Sequence, residues 1–169
     1  MKLVLFCFVI LAVVSTSIYS QELTISSKEI ASLCGRVNQI KELPHDRSEK
    51  GIDKTYDKLR EAGTAVVPCL INNITKIEIM KDPRCPGISN ATTVGDVSYF
   101  VLVDILDHLI EDFLPSDVQN AFKTNGVYAY HEYIDQPGAR GELKKRLRFW
   151  YAEHREKRSS NGSIRSTFQ

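Results

Sequence analysis

Thr93 to Phe113, TVGDVSYFVLVDILDHLIEDF, is the stretch whose reading decides the fold. Thr93 and Asp96 stand at capping-box spacing, in which each side chain takes up the other residue's orphan backbone N–H. Behind that signal Leu102, Ile105, Leu106, Leu109, Ile110 and Phe113 recur on one side at helical spacing, with Asp104, Asp107, His108 and Glu111 opposite. In the first half Val97, Phe100 and Val101 fill the opposite side as well, so that part is apolar all round. A helix without a polar face belongs inside a core. The pattern predicts one long helix stopped by Pro115, the most buried of the molecule, with shorter helices packed around it.

Working outward toward the N-terminus, Ser26 with Glu29 opens a first helix with the stripe Ile30, Leu33, Cys34, Val37 and Ile40, ended by Pro44. Asp46 with Glu49 repeats the starting signal, Ile52, Tyr56 and Leu59 supply the next stripe, and Gly63 suits the left-handed residue that closes a helix. Pro68 is tolerated only in a first turn, so a third helix begins close to Val67 and carries Leu70, Ile71, Ile74 and Ile77. Lys81 to Ala91, with Pro83, Pro86 and Gly87, reads as the longest loop.

Toward the C-terminus, Ser116 with Gln119 opens a short helix closed near Asn125-Gly126. Val127, Tyr130, Tyr133 and Ile134 make another, and after Pro137-Gly138 a last one runs from about Ala139 with Leu143, Leu147, Trp150 and His154 in line. No hairpin turn joins two alternating runs, and Ile77-Glu78-Ile79 is too short to count as a strand. The expected fold class is all-α, a compact bundle of six to seven short helices over 21–158, with 159–169 a polar, disordered tail.

Met1 and Lys2, the apolar run Leu3 to Val14 and the small polar Ser15 to Ser20 have the three-part layout of a signal peptide over 1–20. The apolar run is a dozen residues, against about 20 for a bilayer span, so cleavage is expected in place of anchoring. Without Lys2 the remaining 21 basic and 21 acidic side chains balance, which excludes a bulk polyelectrolyte partner such as nucleic acid. Cys34, Cys69 and Cys85 remain, an odd number for an oxidising compartment. Cys34 lies on its helix's apolar stripe, as a buried thiol would, and Cys69 points away from its own stripe. Cys69 with Cys85 is therefore the candidate disulfide.

Gly63, the run Ala65-Val66-Val67-Pro68-Cys69-Leu70-Ile71 and Asp82-Pro83-Arg84 resemble a HEAT-type, armadillo-like helical repeat over about residues 50–84. The resemblance implies a contact scaffold of helix pairs. The helix starts at Ser26, Asp46, Thr93 and Ser116 depart from it by keeping no fixed period.

Chemistry has few signatures. Asp104, His108 and Glu111 sit at i, i+4 and i+7, a spacing from which one helix can offer metal ligands, but nothing nearby completes a shell. His131-Glu132 starts like a zinc-protease helix, with Asp135 where the second His would stand. Gly87-Ile88-Ser89-Asn90-Ala91 lacks the strand that a nucleophile elbow requires before its serine. No catalytic residue, metal or cofactor is assigned. Asn73, Asn90 and Asn161 fit the glycosylation triplet, Asn73 poorly because it falls inside a helix.

Charge is more informative. From Asp96 to Asp135 eight acidic residues face Lys123 alone, and from Arg140 to Arg158 eight basic residues face three glutamates. The blander account is that the last helix docks on the acidic ones, where each exposed pair contributes roughly 0 to 1 kcal/mol. The sharper is that a charged face steers a partner, with Asp104, His108, Glu111, Lys144, Lys145 and Arg148 as the candidate interaction face. The sequence thus predicts a secreted or periplasmic helical protein that binds another protein and has no catalysis of its own. Its alternatives are a small metal-dependent hydrolase on the Asp104, His108 and Glu111 face, and a peripheral binder of anionic membrane through Lys144 to Tyr151. The membrane reading is disfavoured because Leu143, Leu147 and Trp150 suit a core equally well.

Overall fold

Capping chemistry sets where the helices of this computed structural model begin. Residues 25–44, 48–80 and 92–164 are described, with side chains up to Arg155. Helix α1 (Ser27–Gly35) starts behind Ser26, whose hydroxyl accepts the Glu29 N–H at 3.2 Å. Helix α2 (Lys54–Ala62) starts behind Asp53, whose Oδ1 accepts the N–H groups of Thr55 and Tyr56 at 2.8 and 3.0 Å. This start is later than the Asp46 and Glu49 signal predicts. The reason is that a single carboxylate oxygen at Asp53 satisfies two orphan donors, while its Oδ2 takes the Lys41 N–H and ties α1's exit to α2's entry.

Gly63, at φ +56°, closes α2 in a conformation that costs a side chain, and a 3₁₀ turn over Gly63–Val66 leads into α3 (Val67–Asn73) with Pro68 in its first turn. Helix α4 (Val94–Ile105) carries the complete capping box expected of Thr93 and Asp96. Helices α5 (Ser116–Asn125) and α6 (Val127–Ile134) meet at Gly126, and α7 (Ala139–Ile164) is the longest. The fold is all-α. Among the described residues no strand forms, and Ile79 and Thr93 meet in an isolated antiparallel bridge.

A single core draws on every helix. Val37, Leu59, Val66, Leu70, Ile74, Val97, Leu102, Tyr130, Leu143 and Leu147 are all fully buried in it. Each such side chain contributes roughly 1.5 to 3 kcal/mol. Because α1 to α7 share this core, the molecule is a compact bundle. Helix α4 lies inside it, buried without interruption from Val94 to Tyr99. At its first turn the backbone of α4 passes so close to the end of α3 that a Cβ on Gly95 would stand 2.4 Å from the Ile74 carbonyl oxygen. No described helix is long and apolar enough to cross a membrane.

Three expectations need correction. The long helix ends at Ile105 instead of reaching Phe113: Asp107 turns left-handed at φ +57°, and the His108 N–H reaches back to the Val103 carbonyl at 2.9 Å. A 3₁₀ turn over Ile110–Phe113 follows, held by the Tyr99 hydroxyl on the Ile110 carbonyl. The break lets Phe113 and Leu114 enter the core while Leu109 stays 58% exposed. The backbone of α7 also continues to Ile164, past the Arg158 boundary expected from composition. No proline interrupts it, and polar side chains do not prevent helical hydrogen bonding.

Finally, Cys69 is bonded to Cys34 and not to Cys85, with the two Cα atoms 6.1 Å apart. Packing α1 on α3 brings the edge of one stripe against the flank of the other, which spacing along the chain does not reveal. Closing 35 residues, the bond stabilises the fold by roughly 4 kcal/mol on a chain-entropy account. Cys85, the signal-peptide segment, the elbow-like Gly87 to Ala91 and Asn90 lie outside the described residues.

Candidate interaction face

The break after Ile105 disperses the first set of candidate residues. Asp104 turns inward, where its Oδ2 accepts the Tyr56 hydroxyl at 2.5 Å and pairs with Arg60 Nε at 3.0 Å. Burial and the Asp104 carboxylate together push the Tyr56 hydroxyl far above its ordinary pKa, so it remains a donor. His108 pairs instead with Asp112 at 2.9 Å, and Glu111 sits in the 3₁₀ turn. The i, i+4, i+7 spacing of Asp104, His108 and Glu111 therefore does not produce one face. Among the described residues no group of three or more His, Cys, Asp or Glu converges as metal ligands would. Asn73 is buried and donates its Nδ2 hydrogen to the Cys34 carbonyl, which occupies the atom a glycan would need.

Two clusters the sequence did not single out connect α4 to α7. The first is closed. Asp96, 2% exposed, uses Oδ1 to accept the Tyr130 hydroxyl at 2.9 Å and to pair with Arg140 at 3.0 Å. Its Oδ2 takes the backbone N–H and hydroxyl of Thr93 at 2.9 and 2.7 Å. Both oxygens are therefore fully satisfied, which is the condition under which a buried ion pair is tolerated. Burial, reinforced by Asp96, holds the Tyr130 hydroxyl well above its usual range. His131 stacks edge-on against Tyr130 at 5.1 Å, and its Nε2 has no hydrogen-bond partner among the described residues. Burial holds the His131 pKa below 6.5, aided by Arg140 and opposed by Asp96 and Asp135. A neutral ring is what this site accommodates.

The second cluster is open. Trp150, half-buried on α7, receives His108 edge-on at 5.0 Å and Phe113 at 5.2 Å, and stacks on His154 at 4.2 Å. The His154 ring nitrogen Nδ1 lies 2.8 Å from the Trp150 carbonyl oxygen. Beside these rings Thr64, Leu106, Trp150, Tyr151, His154 and Arg155 line a groove of about 180 Å³. The Tyr151 hydroxyl spans it to the Thr64 carbonyl at 3.4 Å. Of these residues the sequence reading placed Trp150 and His154 on the inner stripe of the last helix. It missed Thr64 and Leu106, which reach the groove only through tertiary packing.

The basic residues of α7 have a local explanation. Lys144 Nζ donates to the Asn72 carbonyl at 3.0 Å, Arg148 donates to Asn72 Oδ1 at 2.6 Å, and Arg140 reaches the Ile74 carbonyl at 3.4 Å. They cap the end of α3, where orphan carbonyls and the helix dipole favour cations. Burial, then the neighbouring Arg148 charge, lowers the Lys144 pKa. Lys145, one step further round α7, is exposed. Among the described residues the expected docking of the basic helix on acidic segments takes the form of the buried pair Arg140 with Asp96, while Lys144 and Arg148 meet α3. Comparison of the chain with protein-family models, with curated proteins and with solved structures found no match.

Proposed function

We propose that this chain is a secreted or periplasmic protein that works by binding another protein through the outward flank of α7 and the groove beside it. The observation that carries the reading is the division of labour on α7. Leu143 and Leu147 are fully buried in the core, whereas Arg148 and Arg155 face outward and Arg155 lines an aromatic-walled depression. The Cys34–Cys69 bond supports an exported chain, since such bonds persist in oxidising compartments. The Asp96 carboxylate is closed by its own hydrogen bonds and ion pair, and Asp104 is committed to Tyr56 and Arg60, which favours contact over catalysis.

Fractionation of cells expressing the full chain, N-terminal sequencing of the product and gentle affinity capture from the same compartment test this together. The expected result is an exported protein beginning near Gln21 that holds a stoichiometric partner. A chain retained inside the cell with Met1 intact, or one that captures nothing at low salt, overturns the proposal.

A further inference from the structure

We infer that the groove beside Trp150 and the cationic flank of α7 together receive an acidic segment of a partner protein, seating one of its apolar side chains. This rests on the protein-binding reading above and names the chemistry of the partner.

Size points to a side chain as the occupant. Pockets for small-molecule substrates run to roughly 300 to 1,000 Å³. At about 180 Å³, lined by Leu106, Trp150, Tyr151 and His154, this groove is too small for such a ligand and large enough for a leucine or an aromatic ring. Rigid aromatic walls suit such an anchor because little rotamer freedom is lost on contact.

Charge points to an acidic segment. Arg140, Lys144, Arg148, Tyr151 and Arg155 follow one another at steps of four, four, three and four, which puts them on one flank of α7. Glu142 and Glu153 fall on the opposite flank by the same geometry. Of the carboxylates in and after α4, Asp104 is engaged by Tyr56 and Arg60 and Asp112 by His108, while Asp107, next to groove-lining Leu106, is exposed. Asp96 takes up the charge of Arg140, so the positive charge offered along this flank is that of Lys144, Arg148 and Arg155, of which Arg155 lines the groove itself.

A membrane surface fits less well. An interfacial helix needs its apolar face next to its cations. In α7 Leu143 and Leu147 are buried in the core, and exposed Phe149 lies on the flank of Glu142 and Glu153.

The chain contains a single tryptophan, so Trp150 fluorescence reports on the groove directly. The full chain is titrated with a seven-residue peptide of alternating glutamate and aspartate around a central leucine. The comparisons are the same peptide with serine at the centre and vesicles containing phosphatidylglycerol. The expected result is a saturable change in Trp150 fluorescence with the leucine peptide, weakened at least about tenfold by the serine exchange and by Arg155→Glu, and weakened by added salt. Arg146→Glu, on the opposite flank of α7 with Glu142 and Glu153, leaves the affinity within about twofold. Circular dichroism and thermal melts confirm that each variant is folded.

No fluorescence change up to millimolar peptide, equal affinity for the serine peptide, equal loss from Arg146→Glu, or binding to vesicles but not to peptide overturns the inference. Should the partner captured from the native compartment remain bound to Arg155→Glu, the inference falls while the broader protein-binding reading stands.

Discussion

Two clusters of aromatic and charged side chains join α4 to α7, one near the start of both helices and one past the end of α4, and they differ in what is left for an outside molecule. At the start, the Asp96 carboxylate is saturated by Thr93, Tyr130 and Arg140, and the rings of Tyr99 and Tyr130 stack at 5.3 Å in the interior. At the other end, His108, Trp150 and His154 make similar ring contacts, but one side of Trp150 faces a groove open to solvent. The same residue types therefore give a fastener in one place and a contact surface in the other. What separates them is whether the surrounding helices cover the cluster, as they do Asp96 and Tyr130, or leave one side of it to solvent.

The sharpest way to break this comparison is to remove a partner from the closed end. Arg140→Ala should cost about 3 to 5 kcal/mol in a denaturant melt, because Asp96 would remain buried with its charge uncompensated. A loss below 1 kcal/mol would show that the closed end is not a fastener.

Gly95→Ala should come next, at about 1 to 3 kcal/mol, because the added methyl meets the Ile74 and Lys76 carbonyl oxygens and Arg140 within 2.8 Å. Backbone atoms on two sides leave it little room to adjust. A neutral outcome would mean that α3 and α4 can separate without penalty.

A smaller effect concerns pH. The folded state holds His131 below its unfolded pKa of about 6.5, so the unfolded chain binds more protons in that window and stability falls as the pH drops through it. Melts between pH 7.5 and 5 should show this decline, and His131→Phe, which keeps the ring contacts with Phe100 and Tyr130, should flatten it. An unchanged slope would assign the dependence to other groups.

The smallest stability effect belongs to the open end. Arg155→Ala should change stability by no more than about 0.5 kcal/mol, since it removes an exposed side chain from a groove rim. A loss comparable to that of Arg140→Ala would erase the distinction between the two clusters.

Local signals carried much of the fold. Thr93 with Asp96, Pro68 and Gly63 act within a few residues of themselves, through orphan N–H groups, a missing donor and a left-handed φ, and each marks its boundary in the structure where the sequence places it. The apolar residues of α4 likewise report burial at Val97, Val101 and Leu102, with Phe100 partly buried. Legibility stops where two signals compete. Leu109, Ile110 and Phe113 continue the helical period, yet Asp107 turns the chain because Phe113 and Leu114 gain more from the core than a straight helix would give them.

The sequence by itself determined a helical chain with one deeply buried segment and a basic last helix, because caps, breakers and periodicity are short-range properties. Only the tertiary structure decided that Cys69 meets Cys34, that Asp96 meets Arg140 and that Thr64 and Leu106 stand across from Trp150. Those meetings depend on how helices far apart along the chain pack together, and no local interaction energy encodes that arrangement.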